Sequence, residues 1–174
     1  RFIQLCDAFD IPMLFLCDTP GFMVGPEAEK SAQVRRFARL FVSAANVSVP
    51  FFTIVLRKGY GLGAQAMAGG SFKVPLFTIS WPTGEFGGMG LEGAVKLGYR
   101  NELEAISDPA ERKKAYDEMV ARSYERGKAV NMAQAFEIDD VIDPAESRRW
   151  IMTALDSAPK SQRRGKKRPH IDTW

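Results

Sequence analysis

Hydrophobic positions along this chain come either as short unbroken runs or as helical stripes. MLFLCD (13–18) and FFTIVL (51–56) are continuous apolar runs, the pattern of strands buried on both faces of a helix-covered sheet. KVPLFTISW (73–81) holds a third strand. Between the first two, Val34, Phe37, Ala38, Phe41 and Val42 recur at i, i+3, i+4, i+7 and i+8, with basic residues at the intervening positions. This stripe predicts one helix opened by Pro26 and ended by Asn46–Pro50, with Glu27 and Glu29 on the favourable end of its dipole. Residues 2–9 read as the end of an amphipathic helix. Residues 101–128 read as charged helix broken near SDPAE (107–111), FEIDDVID (136–143) as a short strand or turn, and Pro144 as the start of a last helix. The order β-α-β-α-β-α followed by helices predicts an α/β fold with a parallel sheet.

Glycine and proline punctuate the pattern. TPGFMVGP (19–26), RKGYGLGAQAM (57–67) and WPTGEFGGMG (81–90) each follow a predicted strand and read as turns, the second leading into a short helix at about 64–69. Gly59, Gly61 and Ala64 spell one GxGxx[GA] string, and Gly88, Gly90 and Gly93 another. Either matches a dinucleotide-binding fingerprint, although that fold wants a long helix after the turn and an acidic residue about 20 positions on. The same strand–turn–helix geometry serves a different chemistry. The first amides of a helix point outward unpaired, and glycine lets them approach a ligand closely. Two such N–H groups can hold an oxygen that gains charge in a transition state.

Composition narrows the candidates. The chain is 45% hydrophobic and 26% charged, as a globular domain is, and no apolar run reaches the length of a membrane span or forms a signal peptide. It starts in mid-helix without a methionine, which reads as a piece of a longer polypeptide. With one histidine, His170, and no CxxC, a His-rich metal site is excluded and a Ser-His-Asp triad disfavoured. Cys6 and Cys17 read as buried free thiols of a cytoplasmic protein. The net charge of +3 splits into +6 on KSQRRGKKR (160–168) and −3 elsewhere. With no zinc spacing or RNA-binding aromatic motif, this basic tail (159–174) reads as a solvated or subunit-facing appendage of a domain at 1–158, and nucleic acid is not an expected partner.

DTPGFMVG, RKGYGLGAQAM, WPTGEFGGMGLEGAV and EIDDVIDPAESRR occur in one order along the chain. Together they resemble the carboxyltransferase subunit of biotin-dependent acyl-CoA carboxylases, the propionyl-CoA carboxylase β-chain type. The resemblance implies a crotonase-like βαβ spiral with appended C-terminal helices, and this chain looks like the C-terminal half of such a subunit. It further implies that this half receives carboxybiotin from a biotin carboxyl carrier or biotin carboxylase subunit. The N-terminal half of a neighbouring subunit in a homo-oligomer binds the acyl-CoA, a coenzyme A thioester. In the family, carboxybiotin gives CO2 and a biotin enolate held by a pair of backbone amides, and a thioester enolate attacks the CO2. The biotin-side pair falls at Leu62 and Gly63, or, with the donor shifted by one, at Ala64. Gly61, Gly21 and Phe22 are the implied biotin-binding residues, Gly21 and Phe22 forming the opposite wall. This chain departs from the family in having Gly61-Leu62-Gly63 where Gly-Gly-Ala is common. It also has Gln65 where several propionyl-type members carry an acid that tunes acyl choice.

Other residues have two readings each. Asp18 either orients the DTPGF turn or caps it. Glu85 is a general base or, more simply, a turn cap or partner of a basic residue. Arg57 and Lys58 meet a substrate carboxylate or CoA phosphate, or form a structural salt bridge. Trp81 reads as core, and the helix over 27–46 and the segment 84–94 as subunit contacts. Three functions stand side by side: a carboxyltransferase half, a nucleotide-binding oxidoreductase domain and a non-catalytic assembly module.

Overall fold

The computed structural model describes residues 1–159 together with Ile171 and Asp172, so the predicted basic tail lies almost wholly outside the described residues. Helix α1 (Phe2–Ala8) leads into strand β1 (Met13–Thr19), and α2 (Pro26–Lys30) and α3 (Gln33–Ala45) lead into β2 (Phe51–Tyr60). Helix α4 (Gly61–Ala66) starts where β2 stops, followed by β3 (Thr78–Ser80), β4 (Glu85–Gly87), α5 (Leu91–Gly98), α6 (Arg100–Glu104) and α7 (Pro109–Arg126). Helix α8 (Ala129–Gln134), β5 (Asp140–Val141), a 3-10 turn (Pro144–Glu146) and α9 (Ser147–Ser157) complete the order. Among the described residues no helix is long and apolar enough to cross a membrane.

The sheet is parallel, as the pattern predicted, with order β1-β2-β3-β5. Its axis is β2, which pairs with β3 over Thr53–Val55 and then changes partner to β4 over Lys58–Tyr60. The two faces of β2 feed separate cores. Phe52 and Ile54 join Phe77, Ile79 and Ile142 under Trp150 and Ile151 of α9, while Val55 joins Cys17, Ala64, Phe86, Ala129 and Ile138.

Four details differ from the sequence reading. β2 runs four residues past Leu56, because the charged Arg57 and Lys58 lie at the rim and Gly59 stays extended. Strand β4 sits inside a segment read as turn, since pairing with β2 supplies the order that its glycines withhold. The helix predicted over 26–46 breaks at Ser31–Ala32, where Ala32 is left-handed at φ 54°. β1 buries only one face: α9 covers Phe52 and Ile54 but leaves their ladder neighbours Leu14 and Leu16 exposed by 38% and 52%. The predicted break in the charged helix is present, with the Asp108 carboxylate accepting the Ala110 N–H at 2.9 Å to start α7.

Candidate active site

β2 delivers the glycine string to a junction of three segments. Gly59 remains in the strand because the Phe86 ring would stand 3.1 Å from a Cβ there. Gly61 opens α4 at φ +58°, and a Cβ would lie 2.7 Å from the Gly88 carbonyl oxygen. At Gly63 a Cβ would lie 2.9 Å from the Gly21 carbonyl carbon and 2.9 Å from Thr19 Cγ2. The glycines therefore let the end of β2, the turn after β1 and the end of β4 touch by backbone.

In a helix that begins at Gly61, the N–H groups of Leu62 and Gly63 have no carbonyl a turn earlier within the helix to reach. Ala64 is the first residue whose amide has one, that of Tyr60, and its side chain is fully buried. Tyr60 caps the helix without a side-chain bond to these amides. Leu62 is 56% exposed, so its side chain projects from the ledge while Gly63 is buried beside it. Gly21 lies against both Gly63 and the Tyr60 carbonyl, which brings the predicted opposite wall into contact with the predicted donors. The Phe22 side chain is turned elsewhere, stacked on Phe37 of α3 at 3.9 Å. Gln65 is half-buried in α4.

Side chains around the junction hold it in place. The Asp18 carboxylate pairs with Arg57 at 2.9 Å and accepts the Lys58 N–H at 3.0 Å, and these bonds hold its pKa below the ordinary range. Arg57 is therefore in the structural salt bridge foreseen as one of its two readings. Glu85 accepts a hydrogen bond from the Tyr60 phenol at 3.0 Å, a partner that its proposed pairing with a basic residue overlooked. Burial, reinforced by that carboxylate, pushes the Tyr60 hydroxyl well above its ordinary pKa. Tyr124 of α7 donates to Glu92 at 2.6 Å, tying α7 to α5 behind the site. Trp81 packs in the α9 core and donates to Ser147 at 3.0 Å. The Tyr60–Glu85 pair is invisible in sequence, because a 25-residue separation carries no periodic signal.

Two grooves among the described residues lie away from these amides. One of about 660 Å³, between α5, α6 and α7, is lined by Lys96, Leu97, Arg100, Leu103, Arg112 and Tyr116. Another of about 560 Å³ lies near Val47, Phe51, Val74 and Leu76. The ledge at Leu62–Gly63 is the place where chemistry-bearing backbone groups converge, and neither groove includes it.

Residues 1–171 match the model of the carboxyl transferase domain. The chain belongs to this family. It is 36% identical over 166 residues to the propionyl-CoA carboxylase carboxyltransferase subunit of Haloferax mediterranei, covering 93% of this chain and 31% of that protein. In structure it is similar to a single-chain, multi-domain long-chain acyl-CoA carboxylase, with 60% identity, a TM-score of 0.76, and coverage of 87% of this chain and 15% of that one. It is also similar to the transcarboxylase 12S subunit, solved as a hexamer with methylmalonyl-CoA bound, with 31% identity, a TM-score of 0.80, and coverage of 98% and 32%. The carboxyl transferase domain chain thus spans about a third of the curated relatives it matches, and its fold is the crotonase-like one the sequence resemblance implied. The dinucleotide reading fails on geometry. α4 and α5 are only 6 and 8 residues long, and nothing approaches within 4 Å of a Cβ at Gly88 or Gly90. The assembly-module reading gains nothing from relatives that are carboxyltransferases.

Proposed function

We propose that this chain supplies the biotin-side half of an acyl-CoA carboxyltransferase, with the N–H groups of Leu62 and Gly63 as its oxyanion donors. The observation that carries the reading is the helix that begins at Gly61: it leaves those two amides with no carbonyl one turn earlier within the helix, beside the contact between Gly63 and Gly21. A flat uncharged ring laid on this ledge of glycine backbone would bring its developing negative oxygen to two fixed donors that need no reorganisation. Bound carboxybiotin supplies the carboxyl group. The chain's own part is to hold the donors, present the Leu62 side chain as an apolar wall, and restrict water when a second domain closes over the ledge.

The 60% identity to a long-chain acyl-CoA carboxylase, against 31–37% to propionyl and methylmalonyl relatives, supports a long-chain acyl-CoA as the acceptor. Gln65 in place of an acid points the same way, away from a propionyl-type substrate. The acceptor would be bound by another part of the full polypeptide or a neighbouring subunit, in a homo-oligomer served by a biotin carrier and biotin carboxylase component. Two buried free cysteines suit a reducing cytoplasm.

Leu62→Pro in the full enzyme tests the donor assignment. Proline is tolerated in a first helical turn and the site is exposed, so the change deletes the N–H together with the Leu62 side chain, and Leu62→Ala, which keeps the N–H, is its control. A loss of roughly 10²–10³ in kcat with the KM for acyl-CoA retained is expected. Unchanged turnover would remove the amide from the mechanism.

A further inference from the structure

β2 keeps one register with β1 as far as Val55, opposite Cys17, and resumes at Gly59, opposite Thr19. Three residues of β2, Leu56, Arg57 and Lys58, therefore stand opposite the single residue Asp18. Such a bulge strands backbone groups that the ladder would otherwise pair. Side chains take them instead. Asp18 Oδ1 accepts the Lys58 N–H at 3.0 Å, and Thr83 Oγ1 donates to the Leu56 carbonyl at 2.5 Å. Asp18 Oδ2 accepts from Arg57 Nη2 at 2.9 Å, completing a two-pronged clamp.

Both walls of the ledge leave this clamp. Thr19, Pro20 and Gly21 follow Asp18 directly. Gly59, Tyr60 and Gly61–Gly63 follow Lys58. The two meet where Gly63 has no room for a Cβ against Gly21 and Thr19. The clamp itself is partly in solvent, with 36% of the Asp18 side chain and 62% of Arg57 exposed. An ion pair so exposed adds little to stability, so its effect lies in placement.

We propose that Asp18 is a positioning residue for carboxyl transfer: its carboxylate fixes the spacing between the turn at Gly21 and the amides of Leu62 and Gly63. The proposal rests on the reading of those amides as oxyanion donors. Asp18 touches no reacting atom; it acts through Lys58 and its own chain neighbours. The two oxygens differ in their partners: Oδ1 accepts the Lys58 N–H at 3.0 Å and Arg57 Nε at 3.3 Å, while Oδ2 accepts only from Arg57, by Nη2 at 2.9 Å and Nε at 3.2 Å. Asn at this position can keep the bonds to Oδ1, the Lys58 N–H above all, and loses those to Oδ2 together with the charge, while Ala loses every one.

The test compares Asp18→Ala, Asp18→Asn and Leu62→Pro in the full enzyme. Steady-state kinetics are normalised to folded protein, and hydrogen exchange is followed over a peptide spanning 57–63. Asp18→Ala is expected to speed exchange in that peptide and to lower kcat by roughly 10-fold to 10²-fold, the cost of misplaced catalytic groups, with the KM for acyl-CoA held. Asp18→Asn recovers most of the rate. A purely structural residue would lower the folded fraction and leave kcat per folded enzyme alone. Unchanged exchange in Asp18→Ala, or unchanged kcat beside an inactive Leu62→Pro enzyme, overturns the role of Asp18 alone. A Leu62→Pro enzyme with full turnover removes the amide reading, and the positioning role with it.

Discussion

Gly63→Ala asks whether the contact between the two walls of the ledge is as tight as the backbone geometry requires. The added Cβ would meet the Gly21 carbonyl carbon at 2.9 Å, Thr19 Cγ2 at 2.9 Å and Gly21 Cα at 3.0 Å, where ordinary contacts begin at 3.4 Å. Two of the three obstacles are backbone, so the walls must part by about half an ångström. Overpacking of this kind costs about 1–3 kcal/mol. Gly93→Ala in α5 is the matched control. It also places Ala in a helix, but its only near atom is Met89 Cε at 3.5 Å, the end of a flexible side chain. The gain in helix propensity, up to about 1 kcal/mol, is common to both and largely cancels in the comparison. The difference between the variants therefore reports the strain itself, about 1–3 kcal/mol, or roughly 2–12 °C in Tm for a chain of this size. Thermal unfolding of the two variants side by side measures it. Gly63→Ala retains its N–H, so any fall in kcat of the full enzyme, about tenfold for a displacement of this size, reports position rather than loss of a donor. A Gly63→Ala variant as stable as Gly93→Ala and fully active would refute the contact and the ledge built on it.

Gly61→Ala should destabilise by more than the roughly 1–2 kcal/mol of a left-handed non-glycine residue, since its Cβ would also lie 2.7 Å from the Gly88 oxygen; Tm is the readout. Tyr60→Phe should cost about 1–3 kcal/mol by leaving Glu85 without its phenol partner, measured by denaturant unfolding. Because burial and Glu85 raise the Tyr60 pKa, its contribution to stability is complete below the ordinary value of 10.0 and fades as pH rises from there through the folded value. Tyr124 is raised too, chiefly by its bond to Glu92, so ultraviolet titration should show two of the four tyrosines ionising late, Tyr60 among them. The Asp18 pKa is lowered, chiefly by Arg57 and then the Lys58 amide, so the clamp contributes fully above the ordinary 3.8 and is lost as pH falls through the folded value. The Tm gap between wild type and Asp18→Asn, small because the pair is exposed, should thus stay level through the neutral range and close only in strong acid. A panel of acyl-CoA chain lengths given to the full enzyme should show higher kcat/KM for long acyl groups than for propionyl-CoA.

Much of this fold was legible because strong local signals agree with it. The apolar run at 51–56, the stripe on α3, the break at SDPAE, the helix start at Pro144 and the four ordered motifs each point to one outcome. What escaped depends on distant partners. Lys58–Tyr60 carry charge and glycine, which argue against a strand, until Glu85–Gly87 arrive to pair with them. Asp18 was visible as a candidate, but its task follows from a register change that no periodicity announces. Leu14 and Leu16 look like core from their neighbours in sequence, and only the placement of α9 shows that nothing described here covers them.

The strand β2 belongs to two ladders in succession, β3 below and β4 above, and only Trp81–Gly84 joins those two neighbours. Four residues thus set the phase between them. Inserting or deleting one would slide β4 by a single step, turn Phe86 out of its core and swing Glu85 away from Tyr60. Loop length here is consequently a fixed quantity, and Trp81 and Thr83, held by Ser147 and the Leu56 carbonyl, anchor it at both ends.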